Sequence, residues 1–371
     1  MTTSRIVLVY YSRLGGRLWP HQKILLDEDA KAIAKLKRFE FGGHHKTGAN
    51  YPASVFFVPD DTLLVDEASG LGIHSPNDLY GGVVPYPFVK TKAITHGLIK
   101  PDAQRPQGWS AGFPDRVRQI VLQGYTVFSP RDARVAAERM LKHGSIRVKR
   151  PLGASGRGQT LIESTNELEA ALEKIASEEL ATYGLVLEEN LREIRTLSVG
   201  CIAVDGLEIS YHGTQRTVRD NEGRLVYGGS DLVCVRGGWN ELNALPMTTE
   251  AQAAVTAARR YDEAVVEYSG FMASRRNYDV GRGLDTDGRS RLGVLESSWR
   301  IGGASSAELV ALAAFAKDPS LPIVRASHIQ VFGKKHEAPA DAIIHFQGDD
   351  PEAGPLLRYT IVQPTKERLH G

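Results

Sequence analysis

Residues 277–298 read NYDVGRGLDTDGRSRLGVLESS, the most informative stretch of the chain. Asp287–Gly288 is a strong signal for a two-residue hairpin turn, because both positions accept positive φ angles. Counting outward from that turn, one residue at a time on each strand, places Asp279 directly opposite Glu296. Residues that face each other in this way have Cβ atoms about 4.5–5.5 Å apart. The stretch therefore predicts a hairpin that brings two carboxylates together.

Two like charges at this spacing repel each other unless a cation lies between them. Magnesium is the natural candidate, because this hard cation accepts carboxylates and nucleotide phosphates together. A bulge at Gly281 or Gly283 would shift the register and separate the pair. The opposition of the two carboxylates is thus an expectation that the structure can test.

A second informative stretch, Ser145–Gly158, reads SIRVKRPLGASGRG. It predicts a short strand ending in Lys149, followed by a loop with glycines at positions 153, 156 and 158. Glycine lets backbone N–H groups approach anionic oxygens, and the lysine adds a positive charge. The loop lacks the ending of a Walker loop and the start of a dinucleotide fingerprint. It indicates a phosphate site without identifying its class.

Composition narrows the class of protein. The chain has 371 residues, 42% hydrophobic and 24% charged, and a net charge of +1. This length predicts two or three domains, and the charge balance gives no support to a nucleic-acid or membrane partner. Cys201 and Cys234 lie in apolar runs and are expected to be reduced and buried. The N-terminal apolar run is too short for a signal peptide, so we expect a cytoplasmic protein.

Strand and helix patterns alternate along the chain. Pro101–Gly112 is rich in turn-forming residues and reads as a linker. After it we predict a helix at Asp115–Gln123, a strand at Leu185–Glu189 and a long helix at Thr248–Tyr268. The segment from Leu71 to Lys100 is rich in Gly and Pro, and its structure is not assigned.

The order of these motifs resembles the ATP-grasp superfamily, in which the nucleotide lies between two α+β lobes. The similar stretches are GFPDRVRQIVLQGYTVFSP, RVKRPLGASGRGQTLI, LVLEENLREIRTLSV and RRNYDVGRGLDTDGRSRLGVLESSWRIGGAS, which together cover about residues 113–315. The whole sequence also resembles a bacterial family of unknown function grouped with these enzymes. The resemblance implies an α+β ATP-grasp fold preceded by an α/β domain.

The resemblance also implies four segments. Residues 1–112 would form the N-terminal α/β domain, and residues 113–187 the small lobe with a glycine-rich lid. The large lobe with the metal site would span 188–345, and residues 346–371 would form a tail or a final strand.

Residue roles carry over position by position from the resemblance. Lys149 resembles a lysine that contacts ATP phosphates, and Arg300 resembles the basic residue that follows the metal ligands; both are candidate catalytic residues. The metal ligands would be Asp279, Glu296 and Ser298. The nucleotide would be bound by Arg116, Lys149, Gly153, Ser155, Gly156, Gly158, Glu188, Glu189 and Glu193.

Two positions depart from the family pattern. Ser298 stands where the family commonly has asparagine, and a hydroxyl is a weaker metal ligand than an amide oxygen. Arg116 stands where the family commonly has a phosphate-binding lysine, and arginine keeps the charge but adds a planar fork. Both changes bear on the efficiency of catalysis more than on nucleotide binding.

The resemblance implies an ATP- and Mg²⁺-dependent ligase that joins a carboxylate to an amine through an acylphosphate. Its substrates would be small molecules, and a homodimer is among the assemblies that the sequence leaves open. Two alternatives also stay open. One is a carboxylating enzyme like biotin carboxylase, although this chain lacks the longer glycine-rich loop of that family. The other is a protein that binds ATP without catalysis.

Overall fold

The computed structural model describes residues 5–51, 54–153 and 158–365. The strands are β1 (Ile6–Tyr10), β2 (Glu40–His44), β3 (Val55–Pro59), β4 (Leu63–Leu64), β5 (Gly82–Val84), β6 (Gly124–Val127), β7 (Ile146–Lys149), β8 (Gln159–Ile162), β9 (Leu185–Glu189), β10 (Arg192–Val204), β11 (Leu207–Arg219), β12 (Leu225–Arg236), β13 (Met272–Ala273), β14 (Arg275–Leu284), β15 (Ser290–Ser298), β16 (Ile323–Phe332), β17 (Ile343–Asp350) and β18 (Gly354–Thr365). The helices are α1 (Pro20–Lys37), α2 (Val65–Gly70), α3 (Gly112–Val117), α4 (Pro130–Met140), α5 (Thr165–Leu172), α6 (Ser177–Tyr183), α7 (Trp239–Asn243), α8 (Thr249–Ala264) and α9 (Ser305–Lys317). Short 3₁₀ helices cover Pro76–Asp78, Pro87–Lys90, Lys92–Thr95 and Val265–Glu267. Within these ranges, no helix is long and apolar enough to cross a membrane.

An antiparallel sheet forms the largest layer. Its strands lie in the order β15-β14-β10-β11-β12-β16-β18-β17. One face, which includes Val199 and Tyr278, packs against α8. The opposite face, which includes Tyr211 and Leu232, packs against α1 and α9. Because side chains alternate between the two faces of a strand, Asp279 belongs to the second face, opposite that of Tyr278.

A smaller antiparallel sheet has the order β6-β9-β7-β8. It lies in the segment that the sequence analysis assigned to the small lobe. Its core includes Val148 and Leu187 from the sheet, Ala136 from α4 and Leu168 from α5. Lys149 is the last residue of β7. The core therefore fixes the position of this lysine at the edge of the packed region.

The first hundred residues contribute to two places. A parallel sheet β2-β1-β3 packs against α1, whereas β5 pairs with β13 far along the chain. Val89 and Ile94, on either side of Lys92, are buried in the same core as α8. Residues 82–95 thus pack directly on the large sheet, and the domain boundary at residue 112 stays a prediction.

The strand Leu185–Glu189 is confirmed as β9, and the long predicted helix is present as α8 followed by a 3₁₀ turn. The helix predicted at Asp115–Gln123 is wrong in its extent, because α3 ends at Val117. The chain leaves the helix there to run beside β15, where the Ile120 carbonyl accepts a hydrogen bond of 2.8 Å from the Val294 N–H. Tertiary pairing has overridden local helix preference.

The two cysteines are buried and free, as their apolar surroundings predict. Cys201 lies on β10 and Cys234 on β12, with β11 between the two strands.

Candidate functional site

β14 and β15 form the predicted hairpin, but its turn is longer than predicted. The Asp285 N–H donates to the Arg289 carbonyl at 3.0 Å, which leaves residues 286–288 as a three-residue loop. The last loop residue is a glycine with φ of 79°, a conformation typical of three-residue hairpin loops. The two-residue turn predicted at Asp287–Gly288 is therefore wrong.

A bulge at Leu295 compensates for the longer turn. Val280 pairs with Val294, whereas Asp279 pairs with Glu296, so Leu295 is an extra residue on β15. Gly281 and Gly283, where a bulge would have separated the pair, pair regularly. The extra loop residue and the extra bulge residue cancel, and the predicted opposition of Asp279 and Glu296 is confirmed.

The two opposed carboxylates have different partners. Asp279 Oδ1 accepts a hydrogen bond of 2.8 Å from Gln215 Nε2. Glu296 Oε2 lies 2.7 Å from Lys92 Nζ, and the Lys92 side chain is only 4% exposed, against 31% for Glu296. Lys92 therefore contacts Glu296, whereas Asp279 is bonded to a neutral amide.

The pKa values of the pair move in opposite directions. Burial and the neighbouring Glu296 carboxylate raise the pKa of Asp279 to about 7. Burial also acts to raise the pKa of Glu296, but the attraction of Lys92, Lys149 and Arg300 outweighs it and lowers that pKa. A second cation bound between the carboxylates would remove their repulsion.

The donor set fits magnesium. No group of three or more His, Cys, Asp or Glu side chains is placed to hold a metal in the part of the chain that the structure describes. Asp279 and Glu296 supply two carboxylates, and magnesium is commonly held by one or two carboxylates together with phosphates and water. The arrangement therefore suits an ion that arrives with a nucleotide.

Ser298 is held by a buried ion pair. Arg275 Nη1 donates to the Ser298 carbonyl at 3.2 Å and to its hydroxyl oxygen at 3.4 Å. The same guanidinium pairs with Glu308 at 2.7 Å, and both side chains are almost fully buried. Arg300 follows on the same segment, with its Nε 3.6 Å from Asp61 Oδ1. The buried Arg275 guanidinium thus holds the end of β15 in place. The Arg300 side chain points toward the loop after β3.

Lys149 is hydrogen-bonded to a side chain of β9. Its Nζ donates to Glu188 Oε1, and His96 Nε2 lies 3.1 Å from Glu188 Oε2. All three side chains are buried. Burial acts to raise the pKa of Glu188, but Lys149 and His96 outweigh it and the pKa is lowered. Glu188 is therefore an ionised group enclosed by two basic side chains.

The other two acidic residues assigned to the nucleotide differ from Glu188. Glu189 Oε1 accepts from the Gln123 N–H at 2.9 Å and from Arg291 Nη2 at 3.1 Å. These contacts tie the end of β9 to β15 and to the chain before β6. Glu193 is exposed and has a positive φ of 52°. Its carboxylate is the more accessible of the two to a ribose hydroxyl.

The neck of the glycine loop is closed by backbone contacts. The Arg150 N–H donates to the Gly158 carbonyl at 2.9 Å, and the Gly153 N–H donates to the Arg150 carbonyl at 3.2 Å. Ser155 and Gly156, also assigned to the phosphates, lie outside the described residues. Gly153 and Gly158 thus set the two ends of the loop directly after β7.

Arg116 lies in a different environment from the other candidates. Its side chain is 58% exposed, and its Nε is 3.4 Å from Glu267 Oε2. It lines an open depression with Asp115, Arg118 and Arg260. Among the contacts of the described residues, none joins Arg116 to Lys149 or to the carboxylate pair.

Lys92 and His96, two basic side chains in the segment left unassigned, were not predicted as site residues. Lys92 contacts Glu296, and His96 contacts Glu188. Lys92 stands in the run FVKTKAIT, in which apolar and polar residues are mixed without a period, so no pattern marks it as buried. Neither its burial nor its partner carboxylate could therefore be predicted.

The chain matches one family of proteins. A family model described as "Protein of unknown function (DUF3182)" matches residues 11–360. None of the curated proteins is significantly similar in sequence to the chain.

Several solved structures are similar. Phosphoribosylamine–glycine ligase from Thermotoga maritima is 15% identical, with a TM-score of 0.50 over 98% of this chain and 93% of that one. D-alanyl-alanine synthetase A from Vibrio cholerae is 15% identical, with a TM-score of 0.49 over 84% and 93%. N5-carboxyaminoimidazole synthetase from Staphylococcus aureus, solved with ADP, is 14% identical, with a TM-score of 0.46 over 98% and 94%. The chain has the α+β ATP-grasp fold, as the sequence motifs predict.

Proposed function

The chain belongs to the DUF3182 family, and we propose that it is an ATP- and magnesium-dependent ligase that joins a carboxylate to an amine. The observation that carries this proposal is the opposition of Asp279 and Glu296 beside two buried lysines. Carboxylates that attract a divalent cation, next to ammonium groups that attract phosphates, are the parts that phosphoryl transfer requires.

Asp279, Glu296 and Ser298 would hold the magnesium ion, which when bound supplies charge neutralisation at the nucleotide phosphates. Lys149 would donate hydrogen bonds to phosphate oxygens, and Arg300 would stabilise negative charge on the transferred group. The arginine's position directly after the metal-ligand strand supports that role.

In the proposed reaction, a substrate carboxylate oxygen attacks the γ-phosphorus of ATP, and the bond to the ADP oxygen breaks. The acylphosphate that forms is attacked at its carbonyl carbon by an amine. An amide and inorganic phosphate are released, and the amine loses one proton. Exclusion of water by the buried surroundings of Lys149 and Glu188 would protect the acylphosphate from hydrolysis.

The nucleotide base would lie against β9. The backbone after Glu188 would receive the adenine amino group, and Glu193 would accept from the ribose. What supports this is that β9 lies beside β7, which carries Lys149, in the small sheet. Arg116 would serve the phosphates only after leaving Glu267.

We propose a cytoplasmic protein with small-molecule substrates, in keeping with its near-neutral charge and its reduced cysteines. Nucleic acid and membrane surfaces are not expected as partners.

The test is ADP release from purified protein with Mg²⁺, ATP and a library of amino acids, polyamines and small carboxylic acids. We expect turnover with at least one carboxylate and amine pair, and its loss in Asp279→Ala. Bicarbonate-dependent hydrolysis stimulated by biotin would instead indicate a carboxylase. Tight ATP binding without turnover for any pair would indicate a protein that only binds the nucleotide.

A further inference from the structure

Lys92 is a buried lysine on a rigid support. It begins a 3₁₀ helix whose first turn is capped by Thr91, because the Ala93 N–H donates to the Thr91 hydroxyl at 3.1 Å. Val89 and Ile94, on either side, are fully buried in the core shared with α8. The backbone of Lys92 is therefore fixed, and only its side chain is free to change partners.

The ammonium of Lys92 joins two parts of the proposed active site. It lies 2.7 Å from Glu296 Oε2 and donates to the Gly153 carbonyl at 3.0 Å. Glu296 is one of the two metal-binding carboxylates, and Gly153 is the first residue of the glycine loop. A lysine has three N–H donors, so one remains for a third acceptor.

A metal ion bound at this pair would compete with Lys92 for the same carboxylate. A divalent cation bound to Glu296 would repel an ammonium held 2.7 Å from the same oxygen. In an octahedral magnesium site, neighbouring ligand oxygens are about 3 Å apart. A phosphate oxygen on that ion would therefore lie within a small side-chain movement of Lys92.

We propose that Lys92 is an exchangeable counter-ion of the site. It neutralises Glu296 when metal and nucleotide are absent, and it donates to the γ-phosphoryl oxygens when they bind. This inference rests on the proposed use of ATP but not on the identity of the other substrates. Under this proposal, the N-terminal segment supplies a positive charge to the phosphates. Arg116, the arginine assigned to the phosphates from sequence, is exposed and paired with Glu267.

The role predicts opposite effects on two ligands. Lys92→Met removes the competitor of the metal, so Mn²⁺ without nucleotide should bind about tenfold more tightly. The same change removes a charged donor to the γ-phosphoryl group, so Mn²⁺–ATP should bind about tenfold more weakly. Binding of Mn²⁺–ADP should change less than that of Mn²⁺–ATP, because ADP lacks the γ-phosphoryl group.

The experiment measures these three dissociation constants by the electron paramagnetic resonance signal of free Mn²⁺ and by titration calorimetry. Lys37→Met is the matched control, because Lys37 is also buried and lies 3.6 Å from a carboxylate, that of Asp205 on the β10–β11 turn. The control should leave all three constants unchanged. Lys92→Gln provides a second test with the same expected signs if Lys92→Met does not fold.

The results separate two failures. If the unmodified protein binds neither Mn²⁺–ATP nor Mn²⁺–ADP, both the proposed function and the role of Lys92 are overturned. If it binds them, but the folded Lys92 variant binds ATP and ADP with unchanged preference, only the role of Lys92 is overturned. Equal weakening of Mn²⁺ and Mn²⁺–ATP would also overturn it, because it would indicate a structural support of Glu296.

Discussion

Two lysine–glutamate pairs lie in the proposed active site, and they differ in their third member. Lys149 and Glu188 are joined by His96, a basic side chain. Lys92 and Glu296 are joined by a second carboxylate, that of Asp279. Counting only the side chains of each group, the first has no excess of carboxylates over basic side chains and is called balanced, whereas the second has two carboxylates to one lysine and is called unbalanced.

This difference indicates which of the two groups attracts a metal ion. The Glu188 side chain is 2% exposed and its pair lies on adjacent strands of one sheet. The Glu296 side chain is 31% exposed, and its lysine comes from a distant segment. A carboxylate enclosed by two basic side chains does not attract a metal ion, whereas two opposed and partly accessible carboxylates do.

The largest effect is expected from Glu296→Gln. The change keeps the shape of the side chain but removes one of two carboxylates, so magnesium-dependent ATP turnover should fall by about 10³-fold. Binding of Mn²⁺ should fall with it, as measured by electron paramagnetic resonance. Asp279→Asn should give a similar loss.

Glu250→Gln is the matched control for this loss. Glu250 pairs with Arg282 of the same hairpin at 2.6 Å but belongs to α8, which packs on the opposite face of the sheet. We expect normal Mn²⁺ binding in this control. Unchanged Mn²⁺ affinity in Glu296→Gln would show that the unbalanced group is not the metal site.

The second prediction concerns the balanced group. Lys149→Met leaves the Glu188 carboxylate buried without its ammonium partner, so the free energy of unfolding should fall by about 3–5 kcal/mol. The double change Lys149→Met with Glu188→Gln should recover most of this loss. Urea denaturation measures both. A single variant as stable as the unmodified protein would remove the distinction between the two groups.

The third prediction is a smaller effect of pH on the same group. Lys149 and His96 lower the pKa of Glu188 below its usual value of 4.5. A lowered carboxylate pKa contributes stability above the unfolded value, and that contribution is lost as pH falls through the lowered pKa. The free energy of unfolding should therefore decline at acid pH less steeply in the double variant. Equal declines in both proteins would contradict the assignment.

The hairpin itself and the opposition of Asp279 and Glu296 could be predicted from the sequence, but the pairs from Val280 to Leu284 lie one residue away from the predicted register. The opposition of Asp279 and Glu296 was predicted correctly because the longer turn and the bulge compensate for each other. The turn does have a local sequence signal. DTDGR at Asp285–Arg289 matches DNEGR at Asp220–Arg224, and both segments form the same three-residue loop. The Leu295 bulge has no such local signal, because it depends on how β15 packs against residues 120–121.

The contacts of Lys92 and His96 could not be predicted in the same way. Their segment has no repeating apolar pattern, and its structure depends on burial against α8 and the two sheets. Each contacts a glutamate 92 or more positions away in the sequence, as in the pair of His96 and Glu188. Such pairs are fixed by tertiary packing alone, so these two contacts could not be predicted, although Lys149 and Arg300 were recognised as candidate basic residues of the site.

The smallest expected effect comes from the two matching loops. It tests whether the turn or the strand pairing holds Asp279 opposite Glu296. Gly288 and Gly223 have the same φ of 79°, and no atom would contact an added Cβ at either position. Alanine at each should therefore cost about 1 kcal/mol of unfolding free energy through backbone strain alone. We expect equal losses in urea denaturation and unchanged Mn²⁺ affinity for both variants, because strand pairing near Asp279 holds the carboxylates in place. Weaker Mn²⁺ binding in Gly288→Ala but not in Gly223→Ala would mean that the turn, rather than this pairing, sets the opposition of Asp279 and Glu296.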